Sequence, residues 1–221
     1  MKNIPLSNYP PELLDTLLSG IPFFKDLMFE DRNQLGVLLR YSSIFEATPG
    51  EVVIQKGARE NTFYFLLKGQ LVVFPDGDLK RPAVNFLSAG QVFGALSLLC
   101  NTPRTATIVA DPNFQRTLLF GTDFTPFGEL TNFSKIKLST KIALWKMVVH
   151  NTRWKLEVYR MEHPNHPLGK ELRQVEIFRG EKGSVDELQS LDRQIWQLTD
   201  IILQWNEALA GVTSRSDAET L

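Results

Sequence analysis

Between Ser43 and Phe120 the chain is a succession of short β-rich runs, each closed by a turn, and this texture restricts the fold more than any other feature. The runs are SIFEA, EVVIQ, TFYFLL, QLVVF, AVNFL, TATIVA and RTLLF. The breaks are PG (49–50), KGAREN (56–61), KG (68–69), PDGD (75–78), SAG (88–90) and DPN (111–113). Short strands separated by turns every 8–12 residues or so predict an antiparallel sandwich or barrel. PDGD between two runs marks a hairpin, because Asp-Gly accepts the positive φ that tight turns require.

The flanks change period. Residues 1–11 are Pro-rich and predicted to be extended. ELLDTLLSG (12–20) and DRNQLGVLLR (31–40) read as short helices, with IPFFKDL (21–27) as an apolar hinge between them. Beyond Phe127, apolar residues recur at 3–4 spacing: Leu138, Ile142, Trp145, Val149, Leu156 and Tyr159, interrupted only by Thr152. EHPNHPLG (162–169) and GEKGS (180–184) break the pattern, with KELRQVEIF (170–178) as a short helix between them. Ser184 is placed to cap a last helix, about 185–209, which carries Leu188, Leu191, Ile195, Leu198, Ile202, Trp205 and Leu209. The predicted fold class is α+β: an antiparallel double-stranded β-helix, or jelly-roll barrel, with short N-terminal helices and a long C-terminal helical extension. The expected boundaries are 1–127 for the barrel domain, 128–211 for the extension and 212–221 for a disordered tail.

Two apolar stripes on long helices predict helix–helix packing through Leu138, Ile142, Val149, Leu156, Leu188, Leu191, Ile195, Leu198, Ile202 and Trp205. Either the helices fold back on their own β-domain or they form a seam between two copies. Their combined apolar surface exceeds what one small barrel can cover, which favours a homodimer. Residues 134–161 are basic except for Glu157, and the following stretch is acidic. Matched charges at the rims of packed helices account for this, ahead of contact with nucleic acid or an anionic membrane.

Several function classes fall away. The net charge is −1, without the basic surplus of a nucleic-acid-binding domain. No apolar run reaches the roughly 18–20 residues that span a bilayer. MKNIPLSNYPPELL has no apolar signal core, and the single cysteine, Cys100, cannot form an internal disulfide; a cytoplasmic protein is expected. His163 and His166 in HPNH lack further ligands at metal spacing, and Cys100 has no base near it in sequence. Neither a metal, a cofactor nor a catalytic set is expected, and the chain reads as non-enzymatic.

One stretch carries candidate chemistry. In FGALSLLCNTPRTAT (93–107), Gly94 permits close backbone approach, and the turn through Leu96, Ser97 and Leu98 presents free backbone N–H groups. Arg104 supplies a planar fork of donors for phosphate oxygens, and Thr105 sets a hydroxyl beside it. The alternative for Arg104 is a structural arginine held by backbone carbonyls or an acidic neighbour.

The β-rich middle resembles the cyclic-nucleotide-binding domain of catabolite activator proteins, kinase regulatory subunits and gated channels. LLSGIPFFKDL, PGEVVIQKGARENTFYFLLKGQLVVF (49–74) and GQVFGALSLLCNTPRTATIVA (90–110) carry the resemblance, which covers roughly 13–127. It implies a phosphate-binding cassette at 90–110 and a ligand that is cyclic AMP, cyclic GMP or another phosphate-bearing nucleotide. It also implies a helix after the barrel that closes over the base, for which Lys141 and Trp145 are the candidates by position. The sequence departs from the family twice. Ala95 stands where the family has a glutamate that binds the ribose. Gly57-Ala58-Arg59-Glu60-Asn61 replaces Gly-Asp-x-Gly-Asp, in a turn expected not to touch the phosphate. No helix-turn-helix can be recognised after the barrel. The expected function is a regulatory sensor with weakened ligand binding that signals through its C-terminal helices to an unknown protein partner. The alternatives are a ligand-independent interaction scaffold and a DNA-binding regulator with a remodelled reading head.

Overall fold

The computed structural model of the chain describes residues 1–80 and 85–216. Strand β1 (Lys2–Ile4) is followed by helices α1 (Pro11–Ser19), α2 (Pro22–Glu30) and α3 (Arg32–Arg40). Strands β2 (Ser42–Ala47), β3 (Val52–Ile54), β4 (Thr62–Lys68), β5 (Gln70–Phe74), β6 (Asn85–Ser88) and β7 (Val92–Phe93) lead to the short helix α4 (Ala95–Leu99). Then come β8 (Thr107–Ala110), β9 (Thr117–Asp123) and the two long helices α5 (Leu138–Glu162) and α6 (Val185–Ser216). The strands form two antiparallel sheets, ordered β1-β2-β9-β4-β7 and β3-β8-β5-β6. The architecture is therefore α+β, a sandwich with helices before and after it, as the sequence predicts.

The unbroken apolar runs of β4 and β9 follow from burial on both faces. Phe63, Phe65, Leu118 and Phe120 face the helices, while Tyr64, Leu66 and Leu119 face the second sheet. Successive residues of a strand point to opposite sides, so each strand feeds two cores. Gly121 sits where β9 runs between Ser43 of β2 and Tyr64 of β4. A Cβ there would meet the Phe45 ring at 2.5 Å and the Tyr64 ring at 3.0 Å, so the aromatic packing requires a glycine.

Local differences from the sequence reading have simple causes. IPFFKDL is not a hinge but most of α2: Pro22 opens the helix, where its missing N–H is no loss, and Phe23, Phe24 and Leu27 bury one face. Residues 170–178 do not form a separate helix; a 3-10 turn, Pro167–Gln174, lies across the packed pair instead. Strand β7 is only two residues long, too short to give a pattern. Of the AVNFL run, Ala83 and Val84 lie outside the described residues. The last helix extends to Ser216; residues 217–221, the rest of the expected tail, also lie outside.

Helices α5 and α6 pack on each other within the chain. Ile142, Val149, Leu156, Leu188, Leu191, Ile195, Leu198, Ile202 and Trp205 are all buried, and Leu138 is partly buried against the same core. These residues are therefore not a surface seam. They form a parallel pair, α5 and α6 running in the same direction with residues 163–184 returning alongside, and its core continues into α1–α3 and the β4–β9 face. The basic and acidic stretches meet at the rims of this pair. Lys146 pairs with Glu187 at 2.9 Å, the Trp145 indole N–H donates to Asp192 at 3.0 Å, and Arg153 donates to Gln194 at 3.1 Å. Ser184 caps α6 by accepting from the Glu187 N–H at 3.2 Å.

Candidate functional site

A cavity of about 220 Å³ lies between the end of the sandwich and the α5–α6 pair. Its barrel side includes Gly94, Ala95, Leu96, Ser97, Arg104 and Thr105, so six of the seven residues singled out from the cassette line one space. Leu98 does not; it points to the helical core and packs there. The other wall is helical, formed by Val148, Asn151, Thr152, Trp154, Lys155 and Val158 of α5 with Ile202 and Asn206 of α6.

The local geometry follows from Gly94. It ends β7 with φ of 75°, a conformation that glycine adopts freely, and starts α4. A Cβ at this position would stand 2.9 Å from Arg104 Nη1. The bare backbone lets the guanidinium press against the cassette.

Arg104 is 3% exposed. Its Nη1 donates to the Gly94 carbonyl and, at 3.0 Å, to Ser97 Oγ; its Nη2 donates to the Thr62 carbonyl. Glu60 Oε2 lies 3.6 Å from Nη2. Nε is buried without a partner among the described residues. Burial lowers the Arg104 pKa from its usual value, and the Glu60 carboxylate opposes that shift. The backbone of the 57–61 turn is stitched to the same residue: the Arg104 N–H donates to the Ala58 carbonyl at 2.9 Å, and the Gly57 N–H donates to the Arg104 carbonyl at 2.8 Å. The turn set aside in the sequence reading as remote from the phosphate position thus supplies the arginine's counter-charge. The alternative weighed for Arg104, backbone carbonyls plus an acidic neighbour, describes its partners here, and one N–H is left over.

The two positions expected to close over a base lie elsewhere. Lys141 is fully buried and donates to the carbonyls of Glu129 and, at 3.1 Å, Leu130, beside the Phe133 ring. Trp145 packs against Phe124 and Phe127 and is pinned to Asp192. Helix α5 reaches the cavity further along, and Lys155 lies about 21 Å beyond Lys141 at 1.5 Å rise per residue. The sequence reading missed Asn151, Trp154 and Lys155. Thr152 was noted only as an interruption of the apolar stripe; it lines the cavity, where its hydroxyl donates to the Val148 carbonyl at 2.8 Å.

No group of three or more His, Cys, Asp or Glu residues placed to hold a metal occurs among the described residues. His163 and His166 stack near the Trp205 ring, 5.9 and 4.5 Å between centroids. Cys100, at the end of α4, is buried and donates to Thr199 Oγ1 on α6 at 3.4 Å. Among the described residues, no helix is long and apolar enough to cross a membrane.

Residues 44–121, which hold the cassette and most of the sandwich, match the family model of the cyclic nucleotide-binding domain. The segment is also similar to cAMP-dependent protein kinase regulatory subunits. That of Mycosarcoma maydis is 33% identical over 98 residues, which is 44% of this chain and 18% of that protein. That of Blastocladiella emersonii is 46% identical over 65 residues, 28% of this chain and 15% of that protein. A cGMP-dependent protein kinase of Eimeria tenella is 30% identical over 94 residues, 42% of this chain and 9% of that protein. The chain thus spans less than a fifth of these three relatives. Among solved structures, the regulatory domain of Toxoplasma gondii PKA with cAMP is 21% identical with a TM-score of 0.43, covering 52% of this chain and 43% of that one. A cAMP-binding acyltransferase from Mycobacterium smegmatis is 22% identical with a TM-score of 0.48, covering 67% of this chain and 42% of that one. Regulatory subunits and domains predominate among these proteins, with the two enzymes as exceptions.

Proposed function

We propose that the chain is a non-enzymatic sensor whose cavity takes a cyclic nucleotide, or another phosphate-bearing nucleotide, with low affinity. The observation that carries this reading is Arg104: a buried guanidinium lining the cavity, with one N–H lacking a partner. A buried unsatisfied donor is costly, and an anion's oxygen would relieve it. Two features support low affinity. Ala95 offers no carboxylate to a ribose, and Glu60 already offsets part of the arginine's charge. A signal would leave through the helices: α4 abuts α6 through Cys100 and Thr199, and α5 and α6 wall the cavity, so a ligand that shifts the cassette would shift the helix pair read by a partner protein.

The competing reading, a scaffold independent of ligand, draws on the same arginine, whose Nη groups are already held inside the protein. Titration with cyclic AMP and cyclic GMP separates the two, followed by thermal melting and by fluorescence of Trp154, which is at the cavity and 63% exposed. A ligand at 100 times its Kd is expected to add about 2.7 kcal/mol of stability. Ala95→Glu is expected to tighten binding of either nucleotide by about ten- to a hundredfold, the worth of a charge-assisted hydrogen bond to a ribose hydroxyl. No shift at millimolar ligand in either protein would favour the scaffold.

A further inference from the structure

Two charged side chains line the cavity, Arg104 from the barrel and Lys155 from α5, and no acidic residue joins them among the described lining residues. The two differ in their company. Arg104 has Glu60 3.6 Å away, which offsets part of its charge. Lys155 is half-buried and has no hydrogen-bond or ion-pair partner among the described residues. Nor does a neighbour on its own wall compensate it: Val148, Asn151, Thr152, Trp154 and Val158 are uncharged, as are Ile202 and Asn206 of α6. The cavity therefore holds one positive charge that no acidic residue offsets, and it sits on the helix rather than on the barrel.

We propose that Lys155 is a second cation on the nucleotide's phosphate, opposite Arg104, so that the bound anion ties helix α5 to the barrel. The proposal rests on the nucleotide-sensor reading and says where the charge for the phosphate comes from. Glu60 offsets part of the arginine's charge on the barrel wall, and Lys155 adds a cation that no acidic lining residue offsets, for the singly charged phosphodiester of a cyclic nucleotide. Recognition of the ligand and attachment of the helix thereby become one contact. Burial lowers the Lys155 ammonium to about 8, the direction expected of a cation enclosed without an anion. A bound phosphate would hold the proton on.

The test is the affinity for cyclic AMP of the full chain and of the Lys155→Gln and Lys155→Arg variants, by calorimetry between pH 7 and 10, with melting curves to verify folding. Lys155→Gln is expected to weaken binding by about ten- to a hundredfold, and Lys155→Arg to stay within a few-fold of the parent. Above pH 8 or so, parent affinity is expected to fall by up to about tenfold per pH unit as the free ammonium loses its proton. Lys155→Arg, whose charge does not titrate there, is expected to hold its affinity. An unchanged Kd in Lys155→Gln overturns the proposal, as does a loss in that variant that keeps the parent's pH profile. Should Lys155→Gln not fold, the contrast between the parent and Lys155→Arg profiles decides. Absence of binding to the parent overturns the sensor reading and this proposal together; binding to the parent with Lys155 immaterial overturns this proposal alone.

Discussion

Arg104→Ala is expected to abolish the stabilisation that a cyclic nucleotide gives and to destabilise the ligand-free protein as well. The side chain bridges β7, α4 and the start of β4 through the Gly94 and Thr62 carbonyls and Ser97 Oγ. Hydrogen bonds to a charged donor are each worth roughly 1.5–3 kcal/mol, and truncation leaves two carbonyls to find water in the space the side chain vacates. A net loss of about 2–3 kcal/mol follows, measurable by urea denaturation. Glu60 contributes little to this figure, because its side chain is nearly half exposed and solvent screens the pair. Arg104→Lys keeps the charge without the fork and is expected to recover part of the stability but little of the ligand response. A wild-type ligand shift in Arg104→Ala would mean that the phosphate is held without this residue.

Trp205→Ala is expected to have the largest effect on stability. The indole is 1% exposed at the far end of the α5–α6 contact, with the Tyr159 ring 5.8 Å away and His166 at 4.5 Å. Removing a fully buried tryptophan costs about 3–5 kcal/mol, a large part of the 5–15 kcal/mol that holds a typical domain together. For a chain of this size that corresponds to roughly 6–20 °C in melting temperature. The neighbouring Ile202 and Asn206 wall the cavity, so the variant is also expected to bind nucleotide less tightly than Trp205→Phe does. A melting temperature within 2 °C or so of the parent would show that the α5–α6 pair is not a cooperative part of the fold.

The sandwich was legible because strand and turn chemistry repeat at short range. The helical stripes were legible too, but their use was not: spacing shows that two faces want burial and not whose surface buries them. Within the chain, α1–α3 and the outer face of β4 and β9 pack against the α5–α6 pair, burial that spacing alone does not reveal. In the cassette, Gly94 and Arg104 could be named from their chemistry, whereas Glu60 could not be paired with Arg104 across 44 positions of chain. Family position alone pointed to Lys141 and Trp145 as the closing residues, and both are structural props. A better signal was present in Thr152. A polar residue interrupting an apolar stripe marks a place where a buried face meets a cavity, and Asn151 and Lys155, beside it on α5, complete the wall.

The lone thiol of the chain lies beneath α6, its proton given to Thr199 and its acidity weakened by burial. A thiol reagent can reach Cys100 only in the moments when that helix lifts, so the rate of alkylation is an intrinsic stopwatch for the lifting. With no other sulfhydryl to confuse the readout, the unmodified protein reports on itself. A nucleotide that fastens the helices to the barrel should slow the stopwatch severalfold, and one that pries them apart should speed it.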